Sequence, residues 1–401
     1  MQPLTRFIAS YLPYVLKHVS VHLQSSVEIP APSLAIVDEP VRCRTDDPER
    51  YKQYKYFIND FISTEMQQTI LRDYRRIHCV QYTCKSPFSS DAFQIEMHYY
   101  LPLTLKSLKS SRAMKTIELY VKSLFVMFFY LESIQSPYIR DVVLSKNGPI
   151  RIYFAPTEFK KHIPREVCHR KPFVFENDMV NSGYTTHGMN GRYIVIYRRE
   201  EFSRLLFHEC IHYIGLDGAS DSWTDFQQFR DDTLLNVKGE LRIFEAYTDT
   251  YAIYWNILIR RYLMRTKSST VTVPAIPAIP AIPTLWKREI SHQRKLIEHC
   301  MFCIGANSID QWLPGTPADN RITWTMNTAT FAYYILKHGA FLHGTMKFQE
   351  MFPFGATVWS RDKIKQWYEF CIDGMKTVSG KYHARCRAKD APTTMSAICS
   401  S

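Results

Sequence analysis

The sequence predicts an α+β fold: a small mixed sheet and two helices, embedded in largely helical N- and C-terminal regions. Three observations predict it. Apolar residues recur near every 3.6 positions in 2–23 and through 111–135. The runs PIRIYFA (149–155) and YIVIY (193–197) are β-branched and aromatic and are bounded by Gly and Asn turns, as strands are. Directly after the second run, from Glu200, helical patterning resumes and carries FHECIHYIGLDG (207–218).

Taken in order, 1–145 reads as a mainly helical N-terminal region. Within it, 46–76 turns helical after Pro48, with Asp46 and Asp47 as caps. Residues 146–265 form the core segment: the two strands, a stretch NSGYTTHGMNG (181–191) read as loops around an edge strand, and the helix from Glu200. Glu200 and Glu201 suit its first turn and Gly215 its C-terminal cap. A polar loop (216–239) leads to a second long helix, about 240–264. Residues 266–284 read as a linker or loop, since VTVPAIPAIPAIPT (271–284) places proline at every third position and favours extended polyproline II. A mainly helical region (285–379) and a flexible tail (380–401) complete the chain.

Composition narrows the function classes. The 401 residues are 46% hydrophobic and 22% charged, which fits a globular protein rather than a disordered one. The net charge of +12 comes from basic residues scattered through RDYRR (72–76), KSLKSSRAMK (106–115) and KKHIPREVCHRK (160–171). None has the spacing of a nucleic-acid module, so nucleic acid is not an expected partner. The longest apolar run, LFVMFFYL (124–131), is too short to span a bilayer, and no transmembrane segment is expected. The N-terminus lacks the pattern of a cleavable signal, and the ten cysteines lack that of a disulfide scaffold. An intracellular location with reduced thiols is the resulting expectation.

The chemistry concentrates in FHECIHYIGLDG. Residues four apart on a helix project from nearly one face, so His208 and His212 can present two imidazoles to one ion, with Glu209 close enough to reach a water on it. Zinc favours such nitrogens, and a catalytic site needs a third protein ligand plus an open position. The best third ligand lies in FEAYTDTYA (244–252), where Glu245 and Asp249 are again four apart. Cys210, inside the motif, reads as a small core residue. HCMFC (299–303) has CxxC spacing beside His299 but no second CxxC, so helical packing explains it best.

HExxH followed by ExxxD resembles the gluzincin zinc metallopeptidases, over roughly residues 149–262. The resemblance implies a zincin-like core and Zn2+ held by His208, His212 and Glu245. It makes Glu209 the catalytic acid/base and Asp249 the partner that orients His208. Glu245, Asp249 and Ala252 are also similar to the E-x-x-x-D-x-x-A run of prenyl-protease-like members, and Thr248 before Asp249 to the Ser-Asp of thermolysin-like ones. HECIHYIG matches the metzincin start as well, but the third-ligand position of that clan is Gly218, which has no side chain, and Asp217 is one residue out of register.

The expected activity is hydrolysis of peptide bonds in a protein or peptide substrate. The substrate is expected to lie extended along a sheet edge around Ser182 to Gly188. A transition-state oxyanion needs a further donor, and Tyr251, His338 and His343 are the candidates. The alternative is a catalytically inactive protein of the same fold that acts as a structural or interaction module.

Overall fold

A computed structural model describes residues 2–105, 112–142, 148–161, 173–186, 192–218, 237–239, 241–268, 282–314 and 316–384. Most of the Pro-Ala-Ile stretch, most of the polar loop after Gly218, residues 187–191 and the tail from 385 lie outside them. The fold is mixed α+β. Two compact units divide the chain: one of Gln2–Lys160 and Asn181–Ile214, the other of Lys161–Val180 and Gly215–Ser401 together with Met1.

The first unit is built on a six-stranded mixed sheet: β1 (Ser20–Glu28), β2 (Arg76–Lys85), β3 (Ala92–Leu101), β4 (Ile150–Thr157), β5 (Gly183–Thr186) and β6 (Tyr193–Arg198). The spatial order is β1-β2-β3-β4-β6-β5. Pairs β1/β2, β2/β3 and β5/β6 are antiparallel; β3/β4 and β4/β6 are parallel. The central strands β4 and β6 are almost wholly buried apart from the exposed Arg151, which is why they read as largely apolar runs. Helices α1 (Gln2–His18), α2 (Arg112–Ser133) and α3 (Phe202–Ile214) belong to this unit; α1 and α3 both pack on α2, and α3 also rests on β5 and β6. The other face is covered by the segment from Ile29 to Tyr74, whose Tyr54, Phe57, Ile70 and Leu71 pack with Tyr100, Tyr153 and Val195.

The N-terminal region differs from its helical reading. The helix expected over 2–23 ends at His18, and β1, β2 and β3 all lie in the part read as helix. In β3, AFQIEMHYYL, the buried Phe93, Ile95, Met97 and Tyr99 alternate with polar residues, a period of two that settles a strand. The helix expected through 46–76 is two, Pro48–Tyr54 and Thr64–Asp73. Asp47 caps the first, accepting from Arg50 N at 3.0 Å, and an Asn59 side-chain turn onto Phe61 N at 2.9 Å stands between them.

In the second unit, α4 (Phe244–Ser268), α5 (Ile282–Ile304) and α6 (Arg361–Lys376) accompany a π-helical turn, Ala332–Leu336, that continues into the helix Lys337–Leu342. Three short parallel strands, Val174–Phe175, Trp324–Met326 and Val237–Lys238, form a small sheet. The expected linker to residue 284 is shorter at its end, because Ile282, Pro283 and Thr284 already open α5. Proline is tolerated there, since the first-turn N–H has no partner in a helix. No described helix is long and apolar enough to cross a membrane.

Candidate metal centre

Helix α3 is buried on every side from Arg204 to Ile214, so its polar residues need internal partners. It begins at Phe202, just after the two acidic residues expected in its first turn. Glu201 takes a salt bridge from Arg204 at 3.1 Å and a hydrogen bond from Ser182 Oγ at 3.0 Å; both charged side chains are almost wholly buried. This ties the start of α3 to the residue that precedes β5. The far end stops at Gly215, whose φ of +79° is the left-handed conformation that only glycine adopts without strain.

Between these ends the two histidines converge. His208 Nε2 and His212 Nε2 are 3.1 Å apart, the rings crossing at 80° with centroids 4.7 Å apart. Glu209 is buried beside them and faces the edge strand: Thr185 Oγ1 lies 2.8 Å from Glu209 Oε2 and 3.0 Å from its carbonyl oxygen, so one hydroxyl proton serves both. The expected sheet edge is therefore β5. Gly188, at the far end of that expectation, lies outside the described residues.

In the second unit, Glu245 and Asp249 occupy successive turns of α4 and are both buried. The Tyr333 hydroxyl donates to Glu245 Oε2 at 2.8 Å. Lys337 Nζ pairs with Asp249 Oδ2 at 2.7 Å, both side chains fully buried. Tyr333 lies inside the π-helical turn and Lys337 directly after it, so this local widening of the helix presents two polar side chains toward α4. Neither residue was singled out by the sequence, although both lie in the same YYILKHGAFLHG stretch as His338 and His343.

His208 and His212 lie in the first unit and Glu245 in the second. The histidine pair itself fits zinc: two nitrogens about 2.0–2.1 Å from one ion and 3.1 Å apart subtend about 100° at it, close to tetrahedral, and imidazole nitrogen is a donor zinc accepts.

The oxyanion candidates each make an internal bond. The Tyr251 hydroxyl donates to Phe352 O. His338 Nε2 meets the Tyr382 hydroxyl at 2.6 Å and its Nδ1 the Gln293 side chain at 3.3 Å; burial, with Lys337 and Arg294 nearby, pushes its pKa down to about 3. His343 donates from Nε2 to Phe370 O at 2.7 Å and stacks on that ring.

Cys210 is buried, which pushes its thiol up, as befits a core residue. In HCMFC, Cys300 and Cys303 are buried in α5 with Cys303 Sγ 3.8 Å from His299 Nε2, and among the described residues no third ligand joins them. Asp217, the out-of-register alternative, accepts from Thr248 Oγ1 at 3.1 Å. Comparison of the chain with protein-family models, with curated proteins and with solved structures found no match.

Proposed function

We propose that this chain is a zinc-dependent metallopeptidase with a zincin-like core, in which His208, His212 and Glu245 hold Zn2+ and Glu209 is the catalytic acid/base. The observation that carries the reading is the 3.1 Å convergence of His208 and His212 Nε2 on one helix, with the Glu209 carboxylate beside them. Zinc, when bound, supplies Lewis acidity, lowering the pKa of a water and polarising a carbonyl.

The chain's own groups do the rest. Glu209 takes a proton from the attacking water as the new C–O bond forms, then delivers it to the amine nitrogen as the C–N bond breaks. Thr185 anchors Glu209 Oε2 and so orients the carboxylate for both transfers. Among the described residues no strand pairs with the outer side of β5, and an extended peptide would bind there as a further strand. Tyr251, His338 and His343 are each hydrogen-bonded inside the second unit, so Tyr333, whose hydroxyl meets Glu245, is the proposed donor to the developing oxyanion. Asp249, itself held by Lys337, is the proposed partner of His208.

The test is cleavage of a broad peptide library by the zinc-loaded protein and by Glu209→Gln. Hydrolysis should fall at least a thousandfold in the variant while zinc stays bound. Cleavage that persists in Glu209→Gln would assign the acid/base elsewhere, and no cleavage by either protein would favour the inactive, partner-holding alternative.

A further inference from the structure

The large sheet carries a second group of metal-ligating side chains, independent of the helix pair. Cys79 on β2 and His98 on β3 stand opposite each other in the ladder, and Glu96 is two residues before His98 on the same face. Cys79 Sγ is 4.0 Å from His98 Nε2, which is 2.8 Å from Glu96 Oε1. One ligand atom from each of the three lies within 4.8 Å of the others, and all three residues are half-buried.

The arrangement is set before any ion arrives. β2 and β3 pair in unbroken register from Arg76–Leu101 to Lys85–Ala92, which fixes the backbone under Cys79 and His98. The His98 ring is stacked on Tyr153, centroids 4.6 Å apart and planes 19° from parallel, which holds its plane. Two features oppose binding. Arg151 Nε lies 3.5 Å from the same Glu96 Oε1, although its side chain is half exposed and free to swing toward solvent. Burial, with the Glu96 charge, pushes the Cys79 thiol up to about 11, so an arriving metal must displace its proton.

We propose that Cys79, Glu96 and His98 form a second, exchangeable binding site for a thiophilic divalent cation of the zinc class. Sulfur, imidazole nitrogen and carboxylate oxygen are the three donors zinc accepts, whereas magnesium and calcium take oxygen alone. Three protein ligands on a half-open sheet face leave a position for water, so the ion exchanges with solution instead of being locked in. Bound there, the cation would neutralise Glu96 and displace Arg151 from it.

Cobalt(II) tests this directly, because a thiolate bound to Co2+ gives a near-ultraviolet charge-transfer band and the His208, His212 and Glu245 set contains no sulfur. Titration of the full chain with Co2+ should raise that band to saturation. It should vanish in Cys79→Ser, weaken at least tenfold in apparent affinity in His98→Gln, and persist in Glu209→Gln, with matched far-ultraviolet circular dichroism throughout. A wild-type titration without the band, a band that survives Cys79→Ser, or an affinity unmoved by His98→Gln would overturn the assignment. None of these outcomes bears on the helix site.

Discussion

At Gly183 a methyl group has nowhere to go. A Cβ there would sit 2.7 Å from Val195 O and 3.2 Å from Glu209 Oε1, so the edge strand runs against the carboxylate with only a hydrogen between. Gly183→Ala must displace either β5 or the Glu209 side chain. A displacement of a few tenths of an ångström misaligns proton transfer, so kcat should fall roughly tenfold to a hundredfold with zinc content unchanged. Steady-state kinetics beside elemental analysis would check it, and wild-type kcat in the variant would show that the strand does not position Glu209. His338 makes a pH prediction at the same scale. Its ordinary value is 6.5 and its folded value is held near 3, so between those limits the unfolded chain takes up a proton that the folded site refuses. Stability present above pH 6.5 is therefore lost as pH falls toward 3, at about 1.4 kcal/mol per pH unit from this group. Urea denaturation at pH 7, 5.5 and 4.5 should show a shallower acid loss in His338→Gln than in wild type; equal slopes would contradict the assignment.

Among the elements, α4 is joined to the helix Lys337–Leu342 by an ion pair fully withdrawn from water. Truncating one partner leaves the other charge uncompensated. Lys337→Met should cost about 3–5 kcal/mol, and most of it should return in Lys337→Met with Asp249→Leu. Equilibrium unfolding of the zinc-free proteins measures both, and a single variant as stable as wild type would mean the pair is not buried in solution. Elements were legible in the sequence where periodicity and length agreed. PIRIYFA and YIVIY are central strands, apolar but for the exposed Arg151 because helices or aromatic side chains cover both faces, and the helix bearing FHECIHYIG ends at Gly215 as its φ requires. The three N-terminal strands were missed for a different reason. β1 is exposed along its whole length, so it has no buried face to mark it. β2 carries polar His78, Gln81 and Thr83 among its apolar residues. AFQIEMHYYL alternates with a period of two, inside a region read as helical from 46–76 and 111–135. In the candidate site, the HExxH positions stand out by spacing and Glu245 by the gluzincin-like ExxxD pattern, whereas Thr185, Tyr333 and Lys337 carry no such signal. Those three act through tertiary contacts, and nothing in the local pattern distinguishes them from ordinary strand or helix residues.

For the molecule as a whole, composition speaks about surroundings and the site speaks about chemistry. A net charge of +12 favours encounter with anionic surfaces at low ionic strength, an effect that salt screens within about 8 Å under physiological conditions. No described helix is long and apolar enough to cross a bilayer. The proposed centre is one zinc ion held by His208, His212 and Glu245. Elemental analysis of the purified Cys79→Ser chain, equilibrated with limiting zinc and dialysed, tests it most directly because the sheet cluster is then disabled. One zinc per chain is expected, falling below about a tenth in His212→Ala or Glu245→Ala made in the same background. A Cys79→Ser chain that retains no zinc, or one whose zinc survives loss of His212, would contradict it.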